Sequence, residues 1–153
     1  MKWISDFGQL FYPNVCAACG NNLLTGESAL CISCQVALPR TRYWARKNND
    51  LEKLLWGRVD LQVADAFLLM PKKGVVQHLI HELKYKGNQE LGVQLGRLFG
   101  KEMAIHQRLH DVDILLPVPL HPHKQRIRGY NQCELIAEGM NEWLKTSLET
   151  ETL

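Results

Sequence analysis

Two Cys-x-x-Cys pairs stand near the start of the chain, Cys16 with Cys19 and Cys31 with Cys34, separated by eleven residues. Each pair closes a tight knuckle that aims two thiolates at one point, and two knuckles complete the four-coordinate shell of a tetrahedral zinc. Gly20 allows the sharp turn after the first pair, which points backbone N–H groups at sulfur. The link from Asn21 to Leu30 is short and polar with Gly26 in it, so it suits a small hairpin and builds no core of its own. Zinc then supplies the folding energy of this segment. Its closed shell of four cysteines makes the metal structural rather than catalytic. A redox pair and free core thiols are the other uses of such cysteines, and the presence of two pairs argues against both. Cys133, outside the pairs, reads as a small buried hydrophobe.

The rest of the composition fits a globular chain. Hydrophobic residues make up 46% of the 153 residues and charged residues 22%, a balance that excludes disorder. The net charge of +2 is too small for nucleic-acid binding by bulk charge, so any such binding rests on local patches. Asp6 and Gly8 interrupt the apolar N-terminus, leaving no signal-peptide core. No run approaches the about 20 apolar residues of a membrane span. These features predict a cytoplasmic protein, where paired cysteines stay reduced and available to metal.

Trp3, Phe7, Leu10 and Phe11 share one face of a short helix that Pro13 ends. Residues 39–60 read as a basic linker, with Arg40, Arg42, Arg46 and Lys47, carrying one short helix capped by Asp50 and ended by Gly57. A solvated linker is the plainer reading of this stretch. The aromatics of its basic part, Pro39 to Lys47, are Tyr43 and Trp44 only, which weakly supports a base-stacking platform. Asp65 to Met70 reads as a strand and Pro71–Gly74 as a turn. Val75, Val76, Leu79, Ile80 and Leu83 mark an amphipathic helix closed by Lys84-Tyr85-Lys86-Gly87. A second helix runs from about Gln89 to His106 with Leu91, Leu95, Leu98, Phe99 and Met103 as its stripe. Gly92, Gly96 and Gly100 recur at every fourth residue of that helix and clear a groove for close packing. Each costs about 1 kcal/mol of helix stability relative to alanine. His106, His110, His121 and His123 place no His-x3-His pair on a predicted helix and read as solvated or hydrogen-bonding side chains.

Val112 to Gln132 carries the chemistry. A short apolar strand ends at Pro117, since proline cannot donate to a ladder. A loop rich in cations follows, with Lys124, Arg126 and Arg128, and then a helix start near Asn131 that runs through Met140. Cations, a glycine at position 129 and a helix N-terminus together suit an anion. A merely solvated loop has the same composition. The final residues, from Leu148, alternate like the beginning of a strand.

Pro117-Val118-Pro119-Leu120 followed by Arg128-Gly129-Tyr130-Asn131-Gln132 resembles the signature of the ComF/GntX family. These are competence-associated proteins with a phosphoribosyltransferase-like domain. The resemblance also takes in the four-cysteine module and Leu83-Lys84-Tyr85. It implies an α/β chain: residues 1–40 a zinc ribbon or knuckle module with an N-terminal helix, residues 41–60 a linker with a short helix, and residues 61–153 the N-terminal part of a type I phosphoribosyltransferase-like domain. It further implies that His121 to Asn131 contacts pyrophosphate, with Lys124, Arg126, Arg128, Gly129 and Asn131 as phosphate-binding residues. Lys84 would face that site from the elements leading into the core. Structural Zn2+ is the expected cofactor, and Mg2+ accompanies phosphoribosyl pyrophosphate in the complete family fold.

The family continues with an acidic pair and a Thr-Thr-Gly-type turn that hold the ribose and its 5′-phosphate. Neither occurs here, and only 33 residues follow Leu120. The sequence thus reads as truncated before that motif, with no catalytic residues and an unpaired edge on its first core strand. The function implied is a ComF-like competence protein assisting the uptake or handling of transforming DNA. Single-stranded DNA or DNA-uptake machinery would be its partners, and a phosphorylated ribose its ligand. The alternatives are a phosphoribosyltransferase, if the missing residues complete it, and a non-enzymatic zinc-module adaptor binding protein or single-stranded DNA.

Overall fold

The computed structural model describes residues 14–150. The helix expected from Trp3 to Phe11 lies outside them. The described chain is mostly helical with one small sheet. In order it forms α1 (Ile32–Ala37), a 3-10 turn (Tyr43–Ala45), α2 (Asp50–Leu55), α3 (Val75–Tyr85), α4 (Gln89–Ile105), β1 (Ile114–Leu115), α5 (Pro122–Arg128), α6 (Gln132–Leu144) and β2 (Ser147–Leu148).

The long helices form where their apolar stripes lie. On α3, Val76, Leu79 and Leu83 are buried, and on α4, Leu91, Leu95 and Met103. Asn88 caps α4 by accepting from the Leu91 N–H at 3.1 Å. Gly87 follows α3 at φ 72°, the left-handed position that favours glycine after a helix. The glycine groove of α4 has its partner in α6. A Cβ on Gly96 would meet the Ile136 carbonyl, one on Gly100 would come within 2.5 Å of the Met140 oxygen, and one on Gly139 within 2.7 Å of the Arg97 nitrogen. The two helices therefore touch backbone to backbone. The bidentate Arg97–Glu142 pair, at 2.6 and 2.7 Å, clamps the same crossing.

The Cys-rich segment does not build a separate interior. Cys16, Ala29, Leu30 and Leu38 share one core cluster with Leu79, Leu83, Leu91, Leu95 and Tyr130. The buried Gln94 side chain fastens the join, accepting from the Leu30 N–H at 2.7 Å and donating to its carbonyl at 3.4 Å. A second cluster stacks Trp44, Phe67 and Phe99, with centroids 5.1 to 5.9 Å apart.

Several sequence expectations are corrected. The cap of α2 is Asn49 rather than Asp50. Its side chain accepts from the Leu51 and Glu52 N–H groups, and Glu52 accepts in return from the Asn49 N–H, closing a capping box. Residues 65–70 contribute one antiparallel bridge, Arg40 with Leu68, rather than a strand. The basic loop is helical over Pro122–Arg128. Proline at its first turn fixes φ and lacks only an N–H that has no partner there. The His121 ring accepts from the His123 N–H at 3.2 Å, and Gly129 closes the end at φ 78°. The strand expected near Leu148 does form: β2 pairs in parallel with β1, Ile114 opposite Ser147 and Leu115 opposite Leu148, and in this two-stranded sheet β1 keeps one edge unpaired among the described residues.

Candidate metal centre and cationic pocket

Four thiols converge at one point. The Sγ atoms of Cys16, Cys19, Cys31 and Cys34 all lie within 4.8 Å of one another, so the four can hold a metal ion. The local chain explains the convergence. The Val15–Asn22 bridge folds the first knuckle back on itself, with the Cys16 N–H donating to Asn21 at 2.8 Å. Cys31 is the N-cap of α1, which places Cys34 one turn away on the same side. The Glu27 carboxylate braces the link by accepting from the Leu24 and Ile32 N–H groups, both at 2.8 Å. Those two bonds hold its pKa below the ordinary range.

The electrostatics call for a cation. Burial opposes ionisation of Cys16, but the N–H groups of Cys31, Cys19 and Ala18 outweigh it and bring the thiol down to about 6. Burial and the three neighbouring thiols then push Cys34 up. Cys31 also moves up: the Cys34 N–H and thiol favour its thiolate, but desolvation and the Cys16 and Cys19 thiols oppose it. Without a cation one thiolate forms readily and the next ones resist, whereas a bound cation lets all four ionise. The magnesium that the resemblance implies finds no comparable donor group among the described residues.

The expected phosphate residues divide into two sets. Lys84, Lys124 and Arg128 line one pocket of about 330 Å³, together with Tyr85, Ile127 and Tyr130. Lys84 comes from the last turn of α3, while Lys124 and Arg128 come from α5. Tyr130 ties these elements together: its buried ring joins the core, and its hydroxyl donates to the Leu83 carbonyl. Burial raises the Tyr130 pKa, and the Arg128 charge partly offsets this. Arg128 is held on two sides, over the Tyr85 ring at 5.5 Å and donating to Gln132 Oε1 at 2.6 Å. Arg126 is exposed and does not line the pocket, and neither does Gly129. Asn131 is 1% exposed. Its side chain donates to Val118 O and Glu134 Oε1 and accepts from the Cys133 N–H, so it closes the start of α6. Cys133 is partly buried, which raises its pKa, while Lys84 and Arg128 nearby draw it down.

Sequence reasoning misses Tyr85 as the stacking surface for Arg128. Its place directly after Lys84 is the available signal.

Most of the chain aligns with known proteins. It is 24% identical to competence protein F of Haemophilus influenzae over 149 residues, covering 88% of this chain and 62% of that protein. It is 29% identical to the DNA utilization protein YhgH of Escherichia coli K12 over 161 residues, covering 94% of this chain and 67% of that one. YhgH of Shigella flexneri matches to the same extent, 29% over 161 residues. The chain is similar to the ComF family along most of its length. It spans roughly two thirds of the length of these relatives, 62% and 67%. No protein-family model matches the chain, and no solved structure gives a significant match. Among the described residues no helix is long and apolar enough to cross a membrane.

Proposed function

We propose that this chain is a ComF-like protein that assists the uptake or handling of DNA and binds a phosphorylated ribose or pyrophosphate in the Lys84–Lys124–Arg128 pocket. The observation that carries the ligand is the meeting of three cations from two separate elements around one cavity. A pre-positioned guanidinium stacked on an aromatic ring suits a bidentate grip on phosphate. The DNA role comes from the relatives' names, competence protein F and DNA utilization protein.

The phosphoribosyltransferase-like reading of residues 61–153 has support in the unit β1–α5–α6–β2. Its parallel strands are joined through helices, and α5 with its cations follows β1 in the chain, where ligands of open α/β sheets gather. The four-cysteine centre is assigned to structural zinc. With Zn–S near 2.3 Å, a tetrahedral ion spaces its sulfurs about 3.8 Å apart, and Cys19 and Cys31 stand 3.9 Å apart. Zinc there supplies a cross-link and no chemistry. Reduced, metal-ready thiols accord with a cytoplasmic setting.

Calorimetric titration with pyrophosphate tests the pocket. Lys84→Ala, Lys124→Ala and Arg128→Ala each weaken binding about tenfold or more, the scale of one lost charge-assisted contact. Arg126→Ala changes it little. Equal affinity in all four variants refutes the pocket. Gene disruption tests the DNA role, which fails if neither transformation nor growth on DNA declines.

A further inference from the structure

Resting on the zinc assignment, we infer that Cys19 is an oxidant-sensitive modification site: a hydroperoxide oxidises it, Cys31 traps it as a disulfide, and the metal is released. The four cysteines are alike in sequence but not in solvent access. Cys16 is 1% exposed, Cys31 and Cys34 are partly buried, and Cys19 is exposed. The Cys16 sulfur is further covered by the Cys31 N–H, which donates to it at 3.4 Å. Gly20, next to Cys19, borders open space, where an added Cβ would meet nothing within 4 Å. A small peroxide therefore reaches one corner of the centre first. Oxidation follows thiolate character and exposure, and metal ligation holds the cysteines as thiolates.

The resolving thiol stands on the other knuckle. Cys31 Sγ is 3.9 Å from Cys19 Sγ, and side-chain rotation closes that gap to the roughly 2.0 Å of a disulfide. Bonds that need no metal hold both ends in place. The Val15–Asn22 bridge folds the first knuckle. Glu27 accepts from the Ile32 N–H at 2.8 Å, and the buried Gln94 accepts from the Leu30 N–H at 2.7 Å. These bonds bracket Cys31 on both sides, so the two thiols stay within reach of one another as the metal leaves.

The electrons balance with one peroxide. The Cys19 thiolate attacks a peroxide oxygen, the O–O bond breaks, and hydroxide departs, leaving Cys19 as a sulfenic acid. The Cys31 thiolate then attacks the Cys19 sulfur, forms the S–S bond and displaces a second hydroxide. The two sulfurs lose two electrons, and the two peroxide oxygens gain them. A disulfide offers no thiolate to zinc, so two of the four ligands are lost together.

Treating the zinc-loaded full chain with hydrogen peroxide tests this, with released zinc read by a chromogenic chelator. Zinc leaves in step with about two free thiols per metal, and peptide mass mapping finds Cys19 joined to Cys31. Cys19→His keeps a four-ligand shell without the open thiol and releases zinc at a small fraction of the wild-type rate. Cys34→His keeps Cys19 and releases it as fast as the wild type. Where a variant fails to hold zinc, the mass map of the wild type decides. Zinc that stays bound through the treatment, equal protection by both variants, or a cross-link that omits Cys19 or Cys31 overturns the inference while the zinc assignment stands. A purified chain without zinc defeats both.

Discussion

Gly96 sits so close to the Ile136 carbonyl that one added methyl would strike it, because α4 and α6 cross here backbone against backbone. The obstacle is main chain and cannot rotate aside. Gly96→Ala therefore forces the helices apart. Overpacking of this kind costs about 3 kcal/mol, well beyond the about 1 kcal/mol that alanine returns in helix propensity. Gly139→Ala on the opposite helix faces Val93 and Arg97 in the same way and falls equally far in urea denaturation. Gly92→Ala meets only side chains, Leu135 and Leu83 at 3.0 Å, which can shift. Its midpoint stays close to wild type, and a similar loss at all three positions contradicts the account.

Metal removal reaches beyond the cysteines. Leu30 lies between the second knuckle and Gln94, and Cys16 belongs to the same core cluster as Leu79, Leu83 and Leu91. Loss of the metal thus loosens the packing of α3 and α4 as well. Metal analysis should find about one zinc per chain, the stoichiometry of one four-cysteine site. Chelation or Cys34→Ser should lower the thermal midpoint of the whole described fold in one transition. Gln94→Leu leaves the buried Leu30 N–H without an acceptor and costs about 1–3 kcal/mol with zinc still bound. A metal-free chain that melts at the wild-type temperature rules out this coupling.

What the sequence reveals follows from how local each signal is. The stripes on α3 and α4 and the two cysteine pairs are repeats within one short segment, so they are legible. The glycine groove is legible too, but its partner is not. Gly139 lies more than a helix away in sequence, and only the crossing reveals that it answers Gly96. The α5 helix is hidden because Ile127 is its lone large apolar residue and is 72% exposed, so no stripe marks it and only Pro122 and Gly129 frame it. The strand read into residues 65–70 has the right apolar run, but Phe67 is used in the Trp44 and Phe99 stack rather than in a ladder. Among the residues proposed to bind phosphate, Lys84 needs the tertiary fold to meet Arg128. Asn131 fits its segment but is occupied as a helix cap.

Arg108 holds two largely buried carboxylates whose pKa values move in opposite directions, which sets the acid response of this corner. Burial raises Asp65, and its bonds to Arg108 do not fully offset that. Burial also opposes ionisation of Glu52, but the N–H groups of Ala64 and Asn49, with Arg108, outweigh it and hold Glu52 below its ordinary 4.5. A depressed carboxylate stabilises the fold above its unfolded pKa and loses that contribution as pH falls through the folded value. A raised one works the other way, binding its proton more readily when folded. Glu52→Gln keeps Asp65 in both chains but removes the Glu52 charge that helps raise it, so the comparison reads Glu52 together with its coupling to Asp65. At neutral pH the variant should be less stable by about 1–3 kcal/mol, the range for hydrogen bonds to a charged group. The gap should hold down to the ordinary 4.5 and close below it. Urea midpoints measured from neutral to acid pH decide the matter: a gap that widens toward acid reverses the sign assigned to Glu52.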